Sequence, residues 1–134
     1  MTYIEEFRVE SSKREQWIDV TDAVRRIVAS SGVREGLCVV FALHTTAAVT
    51  VNENADPDVP RDAILQLGTI SPRRPDFRHG EGNSDAHVKA SLVGSSLTLI
   101  VSEGQPLLGT WQGVWFTEFD GPRSRAVAVR VLGE

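Results

Sequence analysis

The run Ala126 to Leu132, AVAVRVL, alternates from residue to residue, and the same period returns from Tyr3 to Val9. A period of two sends successive side chains to opposite faces of a sheet, so these segments read as strands. Gln16 to Val20 repeats the theme more loosely, and Ala47 to Asn52 (AAVTVN), Ser96 to Val101 and Gly113 to Phe119 add three more strands. Gly36 to Leu43 is different: it has no regular polar interruption, which suits a central strand covered on both faces. Between these runs, three segments change to helical spacing. Val24, Ile27 and Val28 define a helix from Asp22 to about Ser31, with Thr21 as N-cap and Gly32 as stop. Ala63, Ile64 and Leu67 define a second, ended by Gly68. His87, Val88, Ser91 and Leu92 define a third, capped by Asn83 or Ser84 and closed by Gly94. Six or seven strands and about three short helices, not strictly alternating, specify an α+β fold built on a mostly antiparallel β-sheet or sandwich. With 134 residues, the chain is expected to form a single domain spanning 1–134.

Charge narrows the function classes. Fourteen basic against eighteen acidic residues give a net charge of −4, which supplies no general attraction to nucleic acid or to an anionic membrane surface. No run approaches the roughly 20 apolar residues of a membrane span, and the start, MTYIEEFRVESS, lacks the basic and apolar parts of a secretory signal. The expected location is the cytoplasm. The single cysteine, Cys38, sits in the apolar run LCVVFAL, where burial would raise its pKa rather than activate it.

Chemistry concentrates next to turns. His44 follows the apolar strand, His79 lies in a loop punctuated by Pro72, Pro75, Gly80 and Gly82, and His87 opens the third helix. Three imidazoles can hold a transition metal with an open position, or each can cap and hydrogen-bond separately. Glu53 directly follows a strand and would face the His44 corner if the two strands pair; Asp56, Asp58 and Asp62 follow it into a helix start, where carboxylates also serve as caps. HGEGNSDAHVK offers backbone N–H groups and Lys89 as anion contacts, with Asp85 either orienting an imidazole or capping the helix. GTWQGVWF sets Thr110 and Gln112 on one strand face and Trp111 and Trp115 on the other, a platform for a heteroaromatic ligand or a packed core. Glu118 with Arg123 and Arg125 in the DGPRSR turn could form an anion clamp, or the arginines could be solvated.

Three runs, HTTAAVTVNENADPDVPRD, HGEGNSDAHVKASLVG and LGTWQGVWFTEFDGPRSR, occur in order and together resemble the YjbQ-like family, an uncharacterised protein family whose members are described as secondary thiamine-phosphate synthases. The resemblance covers nearly the whole chain; it departs at Ile100-Val101, where many members carry a proline. It implies a homotrimer with its motif residues near the subunit boundaries. It also implies His44, His79 and His87 as metal ligands, for zinc or another transition metal, with magnesium accompanying a phosphate substrate. Glu53, Lys89, Gln112 and Glu118 are the expected catalytic residues, and Thr45, Thr110, Trp111 and Arg125 the expected substrate contacts. The implied reaction joins a pyrimidine pyrophosphate to a thiazole phosphate, giving thiamine monophosphate and pyrophosphate. A metal-dependent hydrolase of a phosphate compound, with Glu53 or Glu118 as base, and a non-catalytic trimeric small-anion-binding module use the same residues.

Overall fold

In the computed structural model of residues 1–134, eleven elements follow in the order β1 (Thr2–Glu10), β2 (Gln16–Asp19), α1 (Thr21–Ser31), β3 (Gly36–Ala42), β4 (Ala47–Glu53), α2 (Asp58–Ile70), α3 (Ser84–Val93), β5 (Ser96–Ser102), β6 (Gln105–Pro106), β7 (Gln112–Glu118) and β8 (Ser124–Gly133). The alternating runs are strands, as their period requires. They form two antiparallel sheets, a five-stranded one in the order β1-β8-β3-β5-β6 and a three-stranded one in the order β2-β7-β4. Val40, Leu99, Val101, Val127, Val129 and Val131 of the first sheet close over Val49, Val114 and Phe116 of the second. Helix α1 adds Val24, Ile27 and Val28 to the same core, the stripe its spacing specified. Each fully buried side chain of this size contributes about 1.5–3 kcal/mol through lost water contact. A smaller cluster, Ala48, Ala86, Ala90 and Phe119, fastens α3 to the outer face of the three-stranded sheet. No helix is long and apolar enough to cross a membrane.

Several local expectations change. Thr21 is the first residue of α1 rather than its cap; Asp19 Oδ1 accepts the Thr21 N–H at 2.9 Å instead. Gly32 does terminate the helix, with φ of 74°. Helix α2 runs through Gly68 to Ile70, because Gly68 keeps a right-handed backbone and nothing there reverses the chain. The strand β6 had no signal in the sequence. Its two-residue turn is Glu103-Gly104, with φ of 55° and 80°, where glutamate takes a left-handed position usually held by asparagine, aspartate or glycine.

Strand β3 is central in its sheet, but only one of its faces is covered. Cys38 and Val40 point into the core, whereas Leu37 and Phe41 are exposed, with Ile4, Ile100 and Leu132 also exposed on the same sheet. An uninterrupted apolar run therefore leaves an open apolar sheet face.

Candidate functional site

The chain changes sheets between β3 and β4, and the residues of that corner, Leu43 to Thr46, sit beside the β7–β8 turn. Leu43 N donates to Ala126 O at 3.2 Å, and Phe119 N to Thr46 O at 3.2 Å. The loop before α3 closes over them. One cleft is accordingly lined by His44, Thr45, Thr46, His79, Glu81, Asn83, His87, Asp120, Arg123 and Arg125, drawn from three distant parts of the sequence. All three histidines converge there. The His79 and His87 rings meet edge to face, with centres 5.1 Å apart.

Arg125 is buried, and its position is fixed from behind. Its Nε donates to Glu118 Oε1 at 2.8 Å, its Nη2 reaches Glu118 Oε2, and Nη2 also donates to Thr46 Oγ1 at 2.9 Å. Nη1 has no partner within the chain and is not sealed from solvent, so it is the part of the fork left to face the cleft. Glu118 is wholly buried. Besides the guanidinium it accepts Ser11 Oγ–H at 2.8 Å and the Asp120 N–H at 3.0 Å. Burial alone would raise its carboxyl, but the bonds from Arg125, Asp120 N and Ser11 outweigh that and hold it below the usual carboxylate range. With its oxygens committed to these donors, Glu118 positions Arg125 and has no free lone pair aimed at a ligand.

His44 is half-buried, and its Nε2 accepts the Ala126 N–H at 2.7 Å. Burial, then the charge of Arg125, depress its pKa below the usual histidine range against the opposing pull of Glu118. A ring nitrogen that accepts a backbone proton has no lone pair to give to an ion. No three histidine, cysteine or acidic side chains gather as a ready-made ion site. The arrangement thus does not fit a centre of three imidazoles that includes His44. His79 and His87, by contrast, have no hydrogen bond to the backbone through their rings and stand side by side in the cleft.

The remaining candidates lie elsewhere. Lys89 follows His87 by two residues, about 200° around the helix, and faces the opposite flank. There it is buried against Glu15, with Asp85 at 4.0 Å and Arg14 completing the group at 3.2 Å from Asp85. Asp85 thus serves Arg14 and Lys89, and does not orient His87. Glu53 does not face the His44 corner, because β3 and β4 belong to different sheets. It pairs with Gln112 at the far end of the β4–β7 ladder, whose near end is Ala47 opposite Glu118. Six residues of strand separate the two ends by about 20 Å. Thr110, Trp111 and Gln112 share that far end; Trp111 is 63% exposed, whereas Trp115 is buried and donates from Nε1 to the Glu53 carbonyl at 3.1 Å. Cys38 is buried, its thiol pushed up to about 11 by burial.

Sequence reasoning did not single out Thr46, Asp120 or Ser11, or Asn83 as more than a cap. Asn83 donates from Nδ2 to Asp120 Oδ2 at 2.7 Å, tying the histidine loop to the β7–β8 turn. The available signal was the position of Asp120 at the start of the same turn as Arg123 and Arg125.

The chain matches the family model "UPF0047 protein YjbQ-like" over residues 5–134. It is 48% identical to UPF0047 protein MJ1081 of Methanocaldococcus jannaschii over 96% of this chain and 93% of that one. It is 42% identical to UPF0047 protein YugU of Bacillus subtilis, covering 94% and 96%. Among solved structures, an uncharacterized YjbQ/UPF0047-family protein of Clostridium acetobutylicum superimposes with a TM-score of 0.93 at 52% identity, covering 96% and 99%. A protein of unknown function from Sulfolobus solfataricus does so with a TM-score of 0.96 at 31% identity, covering 100% and 99%.

Proposed function

For a chain that belongs to the YjbQ-like family, UPF0047, we propose a cytoplasmic small-molecule enzyme whose histidine cleft binds the phosphate of its substrate. The observation that supports this reading is Arg125: a guanidinium held in place by Glu118, with one nitrogen left for a ligand in a cleft that also holds Arg123 and three imidazoles. A fixed arginine is suited to phosphate because it loses little freedom on binding. His79 and His87 place two imidazoles in the cleft, the side chain most often used to pass a proton to or from a reacting oxygen. The first reaction to test is thiamine monophosphate formation, in which the methylene carbon carried by the pyrimidine loses its C–O bond to pyrophosphate and bonds to the thiazole nitrogen. Arg125 and Arg123 would stabilise the charge gathering on that leaving group.

A second reading adds a divalent ion on His79 and His87, its shell completed by phosphate oxygens. The observation behind it is that the two rings stand side by side in the same cleft. The open apolar face of the five-stranded sheet is the surface on which we place trimer formation, and the exposed Trp111 end of one protomer would then lie free to serve a neighbour.

Calorimetry with inorganic phosphate and pyrophosphate tests the cleft. Binding is expected for the wild type and is expected to be lost in Arg125→Ala; equal affinity in both removes the reading. Incubation with the two thiamine precursors and magnesium tests the reaction, and a rate untouched by Arg125→Ala and His87→Ala assigns it to a contaminant.

A further inference from the structure

The β3–β8 ladder ends at Ala42 opposite Val127, one residue before Ala126 would need a partner for its N–H. Backbone donors at such an end must be satisfied, and here the acceptor is a side chain, His44 Nε2. Turning the ring over would set a C–H against that N–H at the same 2.7 Å spacing, so the contact fixes the ring orientation. In the neutral ring, a bare Nε2 leaves the proton on Nδ1. Nδ1 makes no hydrogen bond within the chain, and His44 lines the cleft with Arg123 and Arg125.

Resting on the phosphate-cleft reading, we propose that His44 is a donor group of this site: the sheet locks it as the Nδ1–H tautomer, and it gives that N–H to an oxygen of the bound phosphate. The same lock keeps His44 from being an ion ligand, since coordination through Nδ1 would need the proton on Nε2, pointing at the Ala126 N–H. The cleft would then read a phosphate through one charged fork and one neutral donor, a pair that suits a small phosphate ester or pyrophosphate with several acceptor oxygens. His79 and His87 remain the imidazoles available for proton transfer.

Nitrogen spectroscopy of the whole protein with isotope-labelled histidine and arginine, at a pH above the ordinary imidazole range, reads the tautomer directly. His44 is identified by the signal lost in His44→Asn. The expected result is a proton on Nδ1 and none on Nε2, a shift of the Nδ1 signal on adding inorganic phosphate, and no response of either His44 nitrogen to zinc. A proton on Nε2, or a zinc-induced shift at His44, overturns the proposal while leaving phosphate binding intact. Phosphate that moves the Arg125 Nε–H signal without moving His44 overturns the donor role alone; phosphate that moves neither overturns the cleft reading and the donor role with it. Affinity gives a second readout. Loss of one bond to a charged oxygen in His44→Ala is expected to weaken phosphate about tenfold. His44→Asn, whose amide nitrogen falls near the Nδ1 position, is expected to stay within about threefold of wild type. Wild-type affinity in the folded alanine variant would overturn the proposal.

Discussion

Glu118 and Arg125 face each other fork to fork in the interior, Arg125 Nε donating to Glu118 Oε1 at 2.8 Å and Nη2 to Oε2, with both side chains almost entirely removed from water. They are seven residues apart in the sequence, at the end of β7 and the start of β8, and the turn between them brings them together. Breaking a buried pair by removing one charge leaves the other uncompensated, which costs about 3–5 kcal/mol. Glu118→Gln is expected to lose that much in urea unfolding, and a loss below about 1 kcal/mol would contradict this burial. Arg125→Lys keeps the charge but replaces a two-pronged group with a point, and about tenfold weaker phosphate binding is expected by calorimetry.

Acid should unfold the protein through the same pair. Glu118 is held below the usual carboxylate range by its donors against the opposing effect of burial, and Asp85 is lowered likewise by Arg14 and Lys89. A depressed carboxyl pKa contributes stability that is complete above the unfolded-state value, about 4, and is lost as pH falls through the folded value. His44, also depressed, adds a smaller loss as pH falls below about 6.5, where the unfolded chain takes up a proton and the folded one resists it. Urea midpoints measured against pH should be level above neutrality and fall steeply in the acid range, with a shallower acid limb in Glu118→Gln. An unchanged limb would assign the acid sensitivity to other groups.

Lys89 lies on the flank of α3 away from the histidine cleft, buried against Glu15. Lys89→Met is therefore expected to change stability and leave inorganic phosphate binding within about twofold of wild type, because no charge-assisted bond to the ligand is lost. A tenfold loss of affinity in the folded variant would return Lys89 to the site.

Two glycines test the backbone. A Cβ on Gly36 would stand 2.0 Å from the Leu132 carbonyl oxygen, inside the β3–β8 ladder, and Gly36→Ala is expected to cost about 1–3 kcal/mol or to prevent folding. Gly68 has open space around it within α2, so Gly68→Ala is expected to gain about 0.5–1 kcal/mol from the unfolded chain's lost freedom. Thermal melts of the two variants should move in opposite directions.

The open sheet face gives a prediction for assembly. Phe41→Lys together with Ile100→Lys places charge on two exposed apolar positions while leaving the core untouched. Light scattering should report trimer for the wild type and a smaller species for the double variant. The same mass for both would move the interface elsewhere.

Local order was written in the chain itself. Period-two runs became strands and the 3.6-period runs became helices because those patterns state which side chains must leave water, independent of what they meet. The three family runs likewise contain the cleft residues His44, His79, His87 and Arg125. Partnership was not written there. Which residues meet depended on β3 and β4 parting into different sheets, on α3 turning His87 and Lys89 to opposite flanks, and on the β7–β8 turn folding Arg125 onto Glu118. Only the packed fold could decide that Glu53 and Gln112 stand at the far end of a ladder from the histidines, or that an unpaired backbone N–H would claim a nitrogen of His44. Periodicity is a property of neighbours along the chain; a site is a property of neighbours in space, and those are chosen by sheet pairing and helix rotation.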